Sequence, residues 1–320
     1  MTAIAQLRVV QAGPHVSIQD GGRFGLMRYG VPASGPMDML ALAAANHALG
    51  RPRGAAGVEV SLGGLVLDCV AGAVTVALAG AGFITDHAGV LSGSWHVLTL
   101  RAGERLAIRP GFWGAWAYLA LAGDLDCPRW LGHAATHALS GLGGGRLVAG
   151  AELHIDAATV LPGRDGPIPC PVLARPTGRA RVVPGPQDQH FLAQTMATFL
   201  ATPFRVTSAS DRMGIRLAGP PLPLRAALSI PSEPILRGSV QVAGDGVATV
   251  LMADHQTTGG YPKIATVISA DLDGIAQLRP GDLLRFQPVT PAQAIALTRQ
   301  HAIRSERYLA GLGRHRFGPG

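Results

Sequence analysis

The chain has 320 residues, 48% hydrophobic and 15% charged, with 43 glycines, 24 prolines and a net charge of +7. Glycine keeps no fixed period and the apolar runs recur, which excludes collagen and general disorder and favours a β-rich fold with many turns. Of 27 basic residues 26 are arginines, scattered and without interleaved aromatics, which argues against a nucleic-acid surface.

Leu7 to Gln11 reads as a first strand, followed by a polar, turn-rich stretch from Gly13 to Gly35 that is long for a connector. Asp38 to Leu49 is Ala- and Leu-rich, with Asp38 at the cap position and Gly50 past the end, and predicts a helix. Strand-like runs follow at Val58–Ser61, Leu65–Asp68, Val74–Ala79, Val97–Leu100, Leu106–Arg109 and Ala115–Ala120. Residues 123–145 are Gly-rich, and Arg146 to Ile155 reads as a turn and a strand. Five prolines between Val160 and Gly178 suggest a linker, placing an N-terminal domain at 1–162, the linker at 163–178 and a C-terminal domain at 179–320. The second half predicts a strand at Arg181–Val183, a helix from Gln187 to Leu200, and strands at Phe204–Thr207, Ile215–Leu217, Ser239–Val242, Thr249–Ala253, Thr266–Ser269 and Leu283–Phe286. Thr290 and Pro291 open a last helix to about Leu309, and the tail GLGRHRFGPG is expected to fray. A Leu…Gly-acid-Leu pattern recurs near Ile155, Phe286 and Ile108, either as a repeated turn–strand device or as a mark of two homologous β domains.

No phosphate-binding loop, dinucleotide fingerprint or hydrolase nucleophile motif occurs. His133 and His137 have i,i+4 spacing but no nearby acidic third ligand, so no metal is expected. Cys69, Cys127 and Cys170 make no CxxC and no disulfide framework. With no signal-peptide pattern and no apolar run of roughly 20 residues, a cytoplasmic protein away from membranes is expected.

Polar residues gather in five places. Asp20 and Arg23 flank a glycine pair, and Asp38 begins the first helix, where free N–H groups can meet an anion. Glu59 sits between valines, and such acids are usually solvated. Asp211 and Arg212 precede a glycine, suiting a local ion pair or a guanidinium fork for a carboxylate or phosphate. Ser232-Glu233-Pro234 precedes Gln241, itself between valines. The richest is DHQTTGGYPK, residues 254–263, between two strand-like runs. Asp254, Gln256, Thr257, Thr258, Tyr261 and Lys263 cannot all be buried unless paired, and Gly259 and Gly260 admit close backbone approach. Lys263 is the only lysine in the chain, which singles out a compact ammonium at that point.

The strings SIQDGGRFG, GVPASGPMD, AANHALG, GVEVSLGG, SDRMGIRL, SEPILRGSVQV and ADHQTTGGYPKIATVISADL resemble, in order and over about Leu7 to Phe286, the biotin-dependent carboxyltransferase family of allophanate-hydrolase-subunit-2 type. That family includes the C subunit of bacterial 5-oxoprolinase, the carboxyltransferase part of urea carboxylase and an antagonist of a sporulation-kinase inhibitor. The resemblance implies a mostly β chain with a few helices, in two cyclophilin-like β-barrel domains. It implies B-type and A-type 5-oxoprolinase subunits as partners, with a small amide or lactam as substrate. ATP would be consumed by the complex rather than bound by this chain alone. Pro36, His255 and Ala243-Gly244 depart from the family pattern.

In that setting Arg212 or Arg23 would grip a substrate carboxylate. Lys263, with the Thr257–Thr258–Gly259 backbone, would stabilise a developing anion or phosphate. Asp254 or Glu59 would serve as general base, and Tyr261 would protonate the ring nitrogen. Asp20, Asp38, Asp211, Gln241, Gln256 and Gly260 would line the site. One alternative is carboxyl transfer to an amide nitrogen from biotin on a partner, with Gln241 and Gln256 reading the amide. Another is a non-catalytic regulator that binds a kinase-inhibitor-like partner.

Overall fold

The computed structural model describes residues 4–225 and 230–313. The end of the tail expected to fray, 314–320, lies outside the described residues. The chain forms two compact units, one of residues 1–23, 34–175 and 305–320 and the other of residues 24–33 and 176–304. Residues 24–33 and 305–320 thus belong to units that sequence order alone would not assign them. Among the described residues the fold is mostly β with four α-helices, α1 (Met39–Ala48), α2 (Ala193–Ala201), α3 (Ser269–Ala276) and α4 (Pro291–Leu312).

The first unit carries two antiparallel sheets. One has seven strands in the order Asp124–Asp126, Glu152–Asp156, Ala5–Ala12, Leu65–Ala71, Arg105–Arg109, Ile84–His87 and Val90–Gly93. The other has six, ordered Gly166–Pro167, His96–Arg101, Ala73–Ala79, Ala117–Leu121, Gly57–Val60 and Ser17–Gln19. Their apolar faces share one core that includes Leu7, Val9, Leu67, Val58, Val76, Leu119 and, from the end of α4, Leu309 and Leu312. Helix α1 packs on the Ala73–Ala79 and Ala117–Leu121 strands. A helix apolar on nearly every side, as MLALAAANHA is, demands burial all round. The six-stranded sheet is therefore covered, and Gly57–Val60 is buried at every position. Within the stretch expected as a linker, Gly166–Pro167 pairs with His96 and Val97.

The second unit is a closed barrel. Its strands run Arg179–Pro184, Lys263–Val267, Ser239–Val242, Ala248–Leu251, Gly214–Ala218, Phe204–Val206 and Leu283–Pro288. Parallel pairing of Leu283–Pro288 with Arg179–Pro184 closes the ring and removes the free edges. Phe199 of α2 stacks on Phe286 at 4.4 Å between ring centroids, with Phe204 edge-on to Phe286, and so fastens the helix to the barrel.

The recurrent Leu…Gly-acid pattern is a turn device. Gly103, Gly150 and Gly281 all take positive φ, between 88° and 99°, and each donates its N–H to a neighbouring strand before the next strand begins. Two helical boundaries differ from expectation. Gln187 does not start a helix, because its N–H donates to the Lys263 carbonyl; a 3-10 turn at Asp188–His190 intervenes and α2 begins at Ala193. The strand expected to reach Ser269 stops at Val267, and Ser269 opens α3.

Candidate functional site

In the second unit the ten residues from Asp254 to Lys263 leave the barrel, pair with a neighbouring arm and return. Thr258–Gly259 aligns with Glu233–Pro234. Ile235 N donates to Thr257 O at 3.1 Å, and Ile230 N to Gly260 O at 2.8 Å. A two-residue hairpin turn offers no such pairing surface.

Lys263 is the first residue of its strand and aligns with Gln241 on the next. Its backbone is held on both sides by Gln187. The Lys263 N–H donates to Gln187 Oε1 at 2.9 Å, and the Gln187 N–H to Lys263 O at 3.3 Å. The ammonium pairs with Glu233 Oε1, which also accepts from Gln187 Nε2. Lys263 is 3% exposed while the Glu233 side chain is 39% exposed, so the pair joins a buried cation to a carboxylate at the surface. Hydrogen bonding from Lys263, then from Gln187, holds the Glu233 carboxyl below the usual glutamate range.

Gln241 is buried, and its Nε2 has no hydrogen-bond partner among the described residues. Gly259 faces it, since a Cβ there would lie 2.7 Å from Gln241 Nε2. Gln241, Gly259, Glu233, Lys263 and Gln187 therefore form one connected cluster. Around it Gln256, Thr258 and Tyr261 are exposed, Thr257 and Gly260 half-buried. An ammonium and a carboxamide donor side by side suit a substrate with an amide or developing oxyanion.

Arg212 and Asp254 are engaged with each other. The guanidinium donates Nε to Oδ2 and Nη2 to Oδ1, both at 2.9 Å, and both side chains are sealed from solvent. Asp254 N also donates to Arg212 O. This bidentate pair suits a scaffold between two loops better than a substrate grip at Arg212 or a base at Asp254. Asp211 is exposed and folds into an Asx turn, accepting from Met213 N and Gly214 N, so its carboxylate serves its own loop. Burial lowers the His255 pKa.

The first unit brings together Asp38, Glu59 and Tyr118. Glu59 is fully buried, against the expectation of a solvated acid, because α1 and the segment before it cover its sheet. Its Oε2 accepts from Tyr118 Oη at 2.7 Å and from Met37 N at 2.9 Å, while Asp38 N donates to Tyr118 Oη at 2.8 Å. Burial, then the Glu59 and Asp38 charges, push the Tyr118 phenol well above its ordinary pKa. The Asp38 carboxylate caps α1 by accepting from Ala41 N at 2.9 Å. Asp20 accepts from Gly22 N and Ala134 N, with His133 at 3.7 Å. Arg23 is buried, donates to the Trp130 and Ala135 carbonyls and lies 4.4 Å above the Trp130 ring. The geometry gives Asp20, Arg23, Asp38 and Glu59 anchoring contacts within the unit. His133 and His137 share no helix face, since residues 133–137 are irregular, and His137 Nδ1 meets Ser140 Oγ at 2.9 Å.

Three participants carry little signal in the sequence. Glu233 shows there only as an acid before a proline, and Gln187 only as the expected start of a helix. Tyr118 sits in AWAYLAL, which reads as plain core strand.

The family model for the carboxyltransferase domain, subdomain A and B, matches residues 29–288. The chain is 35% identical over 305 residues to the 5-oxoprolinase C subunit of Haemophilus influenzae, covering 92% of this chain and 95% of that protein. It is 36% identical over 296 residues to the 5-oxoprolinase C subunit of Escherichia coli, covering 90% and 93%. The crystal structure of Kluyveromyces lactis urea carboxylase matches the fold with a TM-score of 0.84 at 24% identity, over 96% of this chain but only 29% of that one. With the matched residues running from Tyr29 to the end of the strand that closes the barrel, this chain belongs to the carboxyltransferase family of subdomains A and B.

Proposed function

We propose that this chain is the C subunit of an ATP-dependent 5-oxoprolinase, acting with B-type and A-type partner subunits to open 5-oxoproline to glutamate. The observation that carries this reading is full-length likeness to two proteins named as the C subunit of 5-oxoprolinase, at 35% and 36% identity over nine-tenths of each chain.

A lactam resists water because its nitrogen lone pair is delocalised into the carbonyl. Phosphorylation of the lactam oxygen at the expense of ATP, elsewhere in the complex, would make the ring carbon electrophilic. Water then adds at that carbon, the ring C–N bond breaks as nitrogen takes a proton, and a second water hydrolyses the resulting acyl phosphate to glutamate and phosphate. Lys263 places positive charge beside the oxygen that becomes anionic. Gln241 offers a buried amide N–H to the substrate carbonyl or phosphate, with Gly259 clearing the approach. Tyr261, an exposed phenol on the same loop, supplies the proton to nitrogen. Gln256, Thr257, Thr258 and Gly260 line the entrance. Asp254 and Glu59 are occupied by buried partners, and the reading gives neither the general-base role.

The test is ATP-dependent glutamate release by the complete complex, with and without this chain and with Lys263→Ala. Release that needs no such chain would overturn the reading. A second reading, carboxyl transfer to an amide nitrogen from biotin on a partner chain, is favoured by the family model itself. It would use Lys263 and Gln241 similarly and would appear as bicarbonate- and biotin-dependent ATP turnover.

A further inference from the structure

The Lys263 ammonium does not sit in its strand unaided. Three contacts converge on this one residue: Gln187 Oε1 on its N–H, the Gln187 N–H on its carbonyl, and Glu233 on its Nζ. Gln187 also donates Nε2 to the same Glu233 oxygen, which closes a ring of Lys263, Gln187 and Glu233. Glu233 comes from a different segment, the arm that pairs with Thr258–Gly259, so the ring ties that arm to the barrel strand at the base of the loop.

An unsupported lysine side chain has four rotatable bonds and spreads its charge over many rotamers. A carboxylate fixed at one side removes that freedom and leaves the other two ammonium protons directed away from it. Glu233 keeps its charge to lower pH than an ordinary glutamate, as such a role requires. Its partly exposed position keeps the pair from the cost of two fully buried charges.

We propose that Glu233 and Gln187 are positioning residues for Lys263, fixing the direction of the only ammonium side chain in the protein toward the Gln241–Gly259 side of the loop. The assignment rests on the 5-oxoprolinase reading for its effect on turnover, but the ring can be observed without any activity.

Because Lys263 is the sole lysine, protein grown with lysine labelled at the ε-carbon by 13C carries one labelled side chain, and its NMR signal reports on Nζ surroundings directly. In the full-length parent chain that signal should step at acid pH, below the usual glutamate range, as Glu233 takes a proton. Glu233→Gln keeps shape and the Gln187 contact but should abolish the step. Gln187→Leu should move the step up toward the ordinary glutamate range, since one donor to Glu233 is lost. In the complete complex Glu233→Gln should lower kcat for ATP-dependent glutamate release roughly 10- to 100-fold with little change in KM, the size expected for a displaced catalytic group. Glu233→Asp should recover part of it. Thermal unfolding of each variant shows whether it is folded.

An acid step that persists in folded Glu233→Gln overturns the ion pair. A step lost while kcat stays at the parental value overturns the positioning role. If Glu233→Gln does not fold, the parent and Gln187→Leu titrations decide: no low-pH step in the parent, or an unmoved step in the variant, overturns the proposal. If the complex releases no glutamate at all, the functional reading fails while the NMR step still stands or falls separately.

Discussion

Single residues divide here into those that hold and those that carry the proposed chemistry. Arg212 and Asp254 hold. Removing one partner of a buried, bidentate pair strands a charge, so Arg212→Ala should cost about 3–5 kcal/mol in chemical denaturation. Replacing both with apolar residues of similar volume should cost less than Arg212→Ala alone, because no charge is stranded. His255 is held neutral by burial. Its folded pKa lies below the unfolded value of about 6.5. Its contribution is therefore complete above that value and is lost as pH falls toward the folded pKa, because the unfolded chain then binds the proton first. The melting temperature should fall more steeply between pH 7 and pH 5.5 in the parent than in His255→Gln. Lys263 is held by Glu233 and carries the charge in the proposed reaction, and Lys263→Ala should reduce turnover of the complex by about 100-fold or more, measured as glutamate release from a variant that still folds.

At the scale of elements, the loop from 254 to 263 depends on one missing methyl group. Gly259→Ala would place Cβ 2.7 Å from Gln241 Nε2, so the Gln241 carboxamide must move. Loss of turnover with a small change in melting temperature is expected, since a side chain and not backbone must give way. Helix α1 depends on its cap, and Asp38→Ala should cost about 1 kcal/mol by thermal or denaturant unfolding. Such elements are legible in sequence because local chemistry decides them: Asp38 before an Ala-rich run, Thr290-Pro291 opening α4, the alternation in Leu65–Ala71. The hairpin of Ile84–His87 and Val90–Gly93 is not, because ITDH and VLSG show no apolar alternation, Val90 and Leu91 being exposed, and pairing with Arg105–Arg109 defines it. The site is legible in part. Lys263 and Gln241 stand out as lone polar groups in apolar strands. Glu233 and Gln187 do not, since their role comes from pairings across 30 and 76 residues. Glu59 reads as solvated because strand alternation does not say that a helix covers the second face.

For the whole molecule, each unit carries its own network. In the first, Glu59, Tyr118 and Asp38 brace the start of α1; in the second, Lys263, Glu233, Gln187 and Gln241 gather beneath a polar loop. In the second network Lys263 and Gln241 are buried, while Glu233 and the loop residues Gln256, Thr258 and Tyr261 reach solvent. Work as the C subunit of a 5-oxoprolinase, as proposed here, is read out as ATP-dependent glutamate release from 5-oxoproline by the partner subunits, with and without this chain. Release that requires the chain and is lost in Lys263→Ala is the predicted result. Folded subunits that release glutamate equally well without it, or in no combination at all, would contradict the account.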